Sequence, residues 1–216
     1  MTKLVGLGAG GHAKVIVETH MLAGQFEIVG LLDPNKDLWN KRVGGVNVLG
    51  DDSLLSGLHM DGVRHAFIGV GSVGLPEARK AIFDRTLEAG FEIVETIHPR
   101  AVVSPTASWG CGLIIFAGAV INPDALLGKN VIVNTGAIVE HDCVIGDHVH
   151  VATGARLAGG VEVGPETHIG VGACIREGIT IGARVIIAAG AVVVKDITEG
   201  VVAAGMPAQA LRPSRG

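Results

Sequence analysis

The sequence has no tyrosine, two tryptophans and five phenylalanines, so aromatic residues make up only 3% of it. That excludes a core built around stacked rings, and Val, Ile, Leu and Ala must fill the interior of a chain that is 48% apolar. Cysteine is equally scarce. Cys111, Cys143 and Cys174 are too few and too scattered for a disulfide framework or a paired-cysteine zinc ribbon, which favours a reducing compartment. No apolar run reaches the roughly 18 residues of a membrane span. The opening "MTKLVGLGAGGHAK" is broken by glycines and has neither a signal-type apolar region nor a cleavage site. There is no Lys/Arg cluster, and the net charge of -4 leaves no electrostatic footprint for nucleic acid or an anionic membrane. The expectation is a cytoplasmic protein with small-molecule or protein partners.

What the chain does have is glycine, 33 residues of it, used under two different rules. Residues 3–98 alternate short apolar runs with helical patterns. "KLVGLG", "FEIVGLLD", "RHAFIGVG" and "FEIVETI" read as strands; "HAKVIVETHML" and "PEARKAIFDRTLEAG" read as helices. Strands alternating with helices predict a Rossmann-like α/β domain with a mainly parallel sheet over residues 1–96. Between the first strand and helix, Gly6, Gly8 and Gly11 form G-x-G-x-x-G, and Asp33 closes the next strand. Glycines there admit a phosphate to the backbone at a helix N-terminus, and an acidic side chain can hold a ribose hydroxyl. A nicotinamide dinucleotide is a competing ligand, although the domain is short for one plus a substrate site.

From residue 97 every sixth residue is apolar: Ile97, Val103, Trp109, Ile115, Ile121 and onward without a break to Ile187 and Val193. Four residues after these positions sit small or apolar residues such as Ala119, Ala137, Cys143 and Ala155, and glycine often follows the large residue directly. This is the period of a hexapeptide β-solenoid over residues 97–216, in which three hexapeptides make a coil and residues 18 apart stack about 4.8 Å from one another. On that rule His141 lies at a corner beneath Gly159, while His150 stacks under His168 on an outward row.

"VNTGAIVEHDCVIGDHVHVATGARLAGGVEVG", the terminal "GAVVVKDITEGVVAAGMPAQAL" and the N-terminal "GAGGHAKV" together resemble the hexapeptide-repeat nucleotide-amino-sugar N-acetyltransferases. The resemblance implies a left-handed β-helix with a C-terminal cap, a homotrimer, and acetyl-CoA bound in a groove between subunits. It implies acetylation of the 4-amino group of a nucleotide-linked 4-amino-4,6-dideoxyhexose for a bacterial surface polysaccharide, GDP-perosamine matching best, with no metal required. His141 would be the general base and Asp142 its support; the 18-residue stack, which puts the backbone N–H of Gly159 one coil above His141, makes that amide the expected oxyanion donor. Gly10, Gly11, His12, Asp33 and Gly71 would contact the nucleotide sugar, with Pro34 standing where some relatives carry a second acidic residue. His150, Val171 and Ala189 would line the acetyl-CoA groove, the last two through stacked amides. Cys143, in a small inward slot, reads as packing. Two alternatives use the same solenoid. One is a sugar O-acetyltransferase of the sialic-acid-modifying type. The other is a zinc-dependent hydratase like the gamma-class carbonic anhydrases, whose pattern of histidines five apart is not met here, since Gly146 follows His141 at that spacing.

Overall fold

The computed structural model describes residues 1–214. The chain divides into two compact units: residues 1–71 with 78–99, and residues 72–77 with 100–216.

The first unit carries strands β1 (Thr2–Leu7), β2 (Phe26–Leu32), β3 (Arg42–Val43), β4 (Val46–Gly50), β5 (His65–Ile68) and β6 (Glu92–Ile93), with helices α1 (Gly11–Ala23), α2 (Leu55–Met60) and α3 (Glu77–Glu88). The strands lie in the order β3–β4–β2–β1–β5–β6 and are parallel except for the β3–β4 hairpin. β1 is central and covered on both faces, so Leu4, Val5 and Leu7 are all buried. A Cβ on Gly6 would stand 2.2 Å from Phe67 Cζ, so the strand has room only for glycine there. The chain runs from β1 through β2 on one side and returns through β5 on the other. The strand order therefore reverses between β1 and β5, and the crevice beyond their carboxyl ends is where open α/β sheets take ligands. The β3–β4 hairpin was not anticipated, although "RVGGVNV" carries its signal: Gly44 and Gly45 both have positive φ, as a two-residue turn between alternating strands requires. The run "FEIVETI" is also not one strand but two, β6 and the separate Thr96–Ile97.

The second unit is the left-handed parallel β-helix expected of the hexapeptide period. Its two-residue strands fall into three parallel sheets, and partners are 18 residues apart, as in Ile138 with Arg156 and Arg156 with Cys174, until the last coil, where Ile186 pairs with Val202 and Ile181 bridges Ile197. From Ile115 to Val193 every large residue of the six-residue beat is buried, and Cys143, Ala137 and Ala155 fill the small slots. The corners follow the same beat. Every sixth residue from Gly112 to Gly190 has positive φ, including the non-glycine residues Asp124, Asn130, Asp142, His148, Glu166 and Arg184. One corner column is glycine in five coils because it is tight: a Cβ on Gly110, Gly128, Gly146, Gly164 or Gly182 would meet backbone of the next coil at 2.5–2.7 Å. The unit ends in an antiparallel pair, Val201–Gly205 with Ala208–Pro213, laid against Ile186–Ile187.

Candidate active site

Asp142 occupies a corner with φ of 59°, a left-handed conformation that aspartate tolerates better than most residues. That turn brings its side chain back to its neighbour, and Asp142 Oδ2 lies 2.7 Å from His141 Nδ1. A carboxylate can only accept, so Nδ1 carries the proton and Nε2 presents its lone pair. The hydrogen bond to Asp142 raises the His141 pKa above the ordinary imidazole value, with the Asp142 and Glu140 charges adding to it. The imidazole is exposed, with 61% of its side-chain surface accessible.

One coil on, the ring rests directly on Gly159. A Cβ there would be 2.6 Å from His141 Cε1 and 2.7 Å from Nε2, so any other residue would displace the imidazole. The carbonyls on both sides are engaged, by Gly160 N–H to His141 O and Gly178 N–H to Gly159 O, but among the described residues the Gly159 N–H has no acceptor. A lone-pair nitrogen and an open amide thus share one small patch, the pair of groups that proton removal and oxyanion stabilisation require.

The residues expected to hold a nucleotide sugar gather at the β1–β5 crevice of the first unit. Gly10 and Gly11 begin α1, and a Cβ on either would meet nothing within 4 Å. Gly71 lies against the His12 ring, 3.4 Å from its Cγ to an added Cβ. Asp33 is partly committed to holding the loop: Oδ2 accepts from Ala9 N–H at 2.8 Å and Oδ1 from Asn35 N–H at 2.9 Å. A carboxylate oxygen has a second lone pair, so a hydroxyl could still join.

The histidines separate. His150 and His168 stack as the 18-residue rule requires, with ring centroids 4.9 Å apart. The outward row is not open, however, and His150 is only 7% exposed. Segment 72–77 belongs to this unit and engages it: Ser72 O accepts from His150 Nδ1 at 2.5 Å. The other ring nitrogen, Nε2, faces Asn134 Nδ2 at 3.1 Å, an orientation fixed by Thr135 N–H donating to Asn134 Oδ1. The same segment ends in Glu77, paired with Arg184. Val171 and Ala189 are exposed, and among the described residues neither N–H has an acceptor. His148 is itself a positive-φ corner residue, buried, with Nδ1 2.9 Å from Asn130 Nδ2. Among the described residues no three His, Cys, Asp or Glu side chains are grouped to hold a metal ion. Cys143 is buried, its pKa raised by that burial. No helix among the described residues is long and apolar enough to cross a membrane.

Arg79 is a site-adjacent residue that pattern reading passed over. Its spacing to Phe83 and Thr86, with which it shares the buried face of α3, was the available signal.

Two family models match the chain: the PglD N-terminal domain over residues 3–86 and the bacterial transferase hexapeptide (six repeats) over residues 124–159. Among solved structures, a perosamine N-acetyltransferase from Caulobacter crescentus, a histidine-to-asparagine variant in complex with CoA and GDP-perosamine, is 39% identical over 98% of this chain and 97% of that one, with a TM-score of 0.91. The acetyltransferase domain of PglB from Neisseria gonorrhoeae, in complex with acetyl coenzyme A, is 38% identical over 97% and 98% of the two chains, with a TM-score of 0.89. WeeI from Acinetobacter baumannii, at 24% identity and a TM-score of 0.75 over 97% of this chain and all of that one, shares the fold. No curated protein sequence matches.

Proposed function

This chain belongs to the hexapeptide-repeat nucleotide-amino-sugar N-acetyltransferase family, and we propose that it moves the acetyl group of acetyl-CoA to the 4-amino group of a nucleotide-linked 4-amino-4,6-dideoxyhexose, with GDP-perosamine as the first candidate. The observation that carries the reading is the His141–Asp142 pair, set by a left-handed corner with its open Nε2 against Gly159. The sugar amine attacks the thioester carbonyl, forming the C–N bond while Nε2 of His141 takes the amine proton. The oxygen charge that develops is met by the Gly159 N–H. Collapse of the tetrahedral species breaks the C–S bond, and the proton leaves with CoA as the thiol. Asp142 keeps Nδ1 protonated and stabilises the imidazolium formed on the way.

In this reading the domain at 1–96 holds the nucleotide sugar through Gly10, Gly11, His12, Asp33 and Gly71, and the β-helix at 97–216 binds acetyl-CoA. The outward amides of Val171 and Ala189, stacked one coil apart, suit the amide-bearing pantetheine arm. A homotrimer with the CoA groove between subunits, a cytoplasmic location and a role in O-antigen or other surface-polysaccharide assembly complete the proposal.

The test is acetyl-CoA consumption over a panel of GDP-, UDP- and dTDP-linked 4-amino-4,6-dideoxyhexoses, with sialic acid as a hydroxyl acceptor for comparison. Turnover with an amino sugar is expected. Consumption with sialic acid alone would replace the amine by an alcohol in the mechanism, and no consumption with any acceptor would end the acetyltransferase reading. Sedimentation of the purified protein should give a trimer.

A further inference from the structure

Arg79 stands in the first turn of α3 and is only 2% exposed. Its Nη1 donates to two carbonyls, Ile68 O at 2.9 Å and Val70 O at 2.6 Å. Among the described residues Nε and Nη2 are enclosed and have no hydrogen-bond partner, and no carboxylate pairs with the guanidinium. A buried cation is normally paired with an acid, because removing an ion from water costs far more than two carbonyl dipoles return. Burial alone pulls its pKa down to about 9.

The position of this unbalanced charge is informative. The two carbonyls it holds flank Gly69, and Gly69 abuts the glycine loop: its N–H donates to Leu7 O at 2.6 Å, and an added Cβ would stand 2.7 Å from Gly8 O. Two residues further, Gly71 meets His12. The guanidinium therefore lies just behind the β1–β5 crevice, where the strand order reverses and where Gly10 and Gly11 leave space on the backbone. An anion in that crevice would supply the missing counter-charge, across a stretch of protein that screens poorly.

We propose that Arg79 is a positioning residue for the nucleotide sugar, its buried positive charge holding the diphosphate at the end of β5 through the field rather than by contact. The inference rests on the nucleotide-sugar reading above and adds a specific source of affinity for the diphosphate. It assigns the charge itself, and not the carbonyl hydrogen bonds alone, as the reason for an arginine at this point.

Two variants separate these roles, since Arg79→Lys keeps the charge and Arg79→Gln keeps a donor without it. In Arg79→Gln the KM for the nucleotide sugar should rise at least about tenfold, the scale of one poorly screened charge, while the KM for acetyl-CoA and kcat stay within about twofold. In Arg79→Lys the sugar KM should return to within about threefold of the parent. Competitive inhibition gives a readout that a packing role would not move: GDP or UDP, whichever nucleotide supports turnover, should weaken about tenfold in Arg79→Gln while its uncharged nucleoside is unaffected. Equal losses for diphosphate and nucleoside, or an unchanged sugar KM in Arg79→Gln, would overturn the proposal. Should Arg79→Gln not fold, Arg79→Lys decides: a near-parental sugar KM supports the charge, and a tenfold rise overturns it. A parent protein without acetyl-transfer activity would overturn the function and not this assignment, which diphosphate binding to the parent and to Arg79→Lys would still test.

Discussion

Glycine answers to different constraints in the coil corners and at the start of α1. In the coil, an added Cβ at Gly146 would meet Pro165 N at 2.6 Å, and its column repeats that collision at Gly128 and Gly164. In the α/β unit, Gly10 and Gly11 would have nothing within 4 Å. The first set is required by the chain's own stacking. The second is not required by any packing contact of the chain, and it leaves room for close approach of a ligand to the backbone. Gly159 belongs to neither set: it is crowded by a side chain, that of His141, instead of by backbone. In the coil column the crowding comes from backbone, and at Gly159 it comes from one exposed imidazole.

The comparison can be broken or sharpened by substitution. His141→Asn should cut kcat by about 10² to 10⁴ with KM for both substrates within a few-fold, as removal of a general base does; steady-state rates near the parent would remove His141 from the chemistry. Gly146→Ala should cost about 1–3 kcal/mol of stability through overpacking, whereas Gly10→Ala should stay within about 0.5 kcal/mol and show itself only as a raised KM for the nucleotide sugar. Denaturant titration of the two variants would break the contrast if their losses were equal. Gly159→Ala should lower kcat by about ten- to a hundredfold with little change in stability, because the exposed imidazole can swing away from the new methyl; a full-rate variant would mean the ring need not rest on residue 159.

The smallest effect is the most diagnostic. Asp142→Asn keeps a residue that tolerates the left-handed corner but loses the carboxylate whose hydrogen bond and charge raise the His141 pKa. The base works neutral and fails once protonated, so a raised pKa sets the acidic limb of kcat/KM at higher pH. Removing Asp142 lowers that pKa, so the limb should move to lower pH while kcat falls about tenfold. An unmoved limb would show that Asp142 does not support the base.

Much of the coil was readable because its periodicity is a local rule repeated without interruption. One apolar residue every six positions gave the register, and the register put Gly159 over His141 and His168 over His150. The α/β unit was readable in its longer elements, Thr2–Leu7 and Gly11–Ala23 among them, and less so where strands are two residues long and held by neighbours distant in sequence. His150 illustrates the limit. Its place on an outward row followed from the period, but what covers that row is Ser72, 78 residues earlier, and no local pattern encodes that hydrogen bond.

By itself the sequence determined the six-residue beat, the corners that fall between its strands, and therefore which side chains share a column, because repetition makes spacing in sequence equal to position in space. Only the tertiary structure decided which tautomer His141 holds, what covers His150, and that Arg79 is buried without an acid behind the β1–β5 crevice. Those depend on groups brought together from separate parts of the chain, where distance is set by the fold and not by the count of residues between.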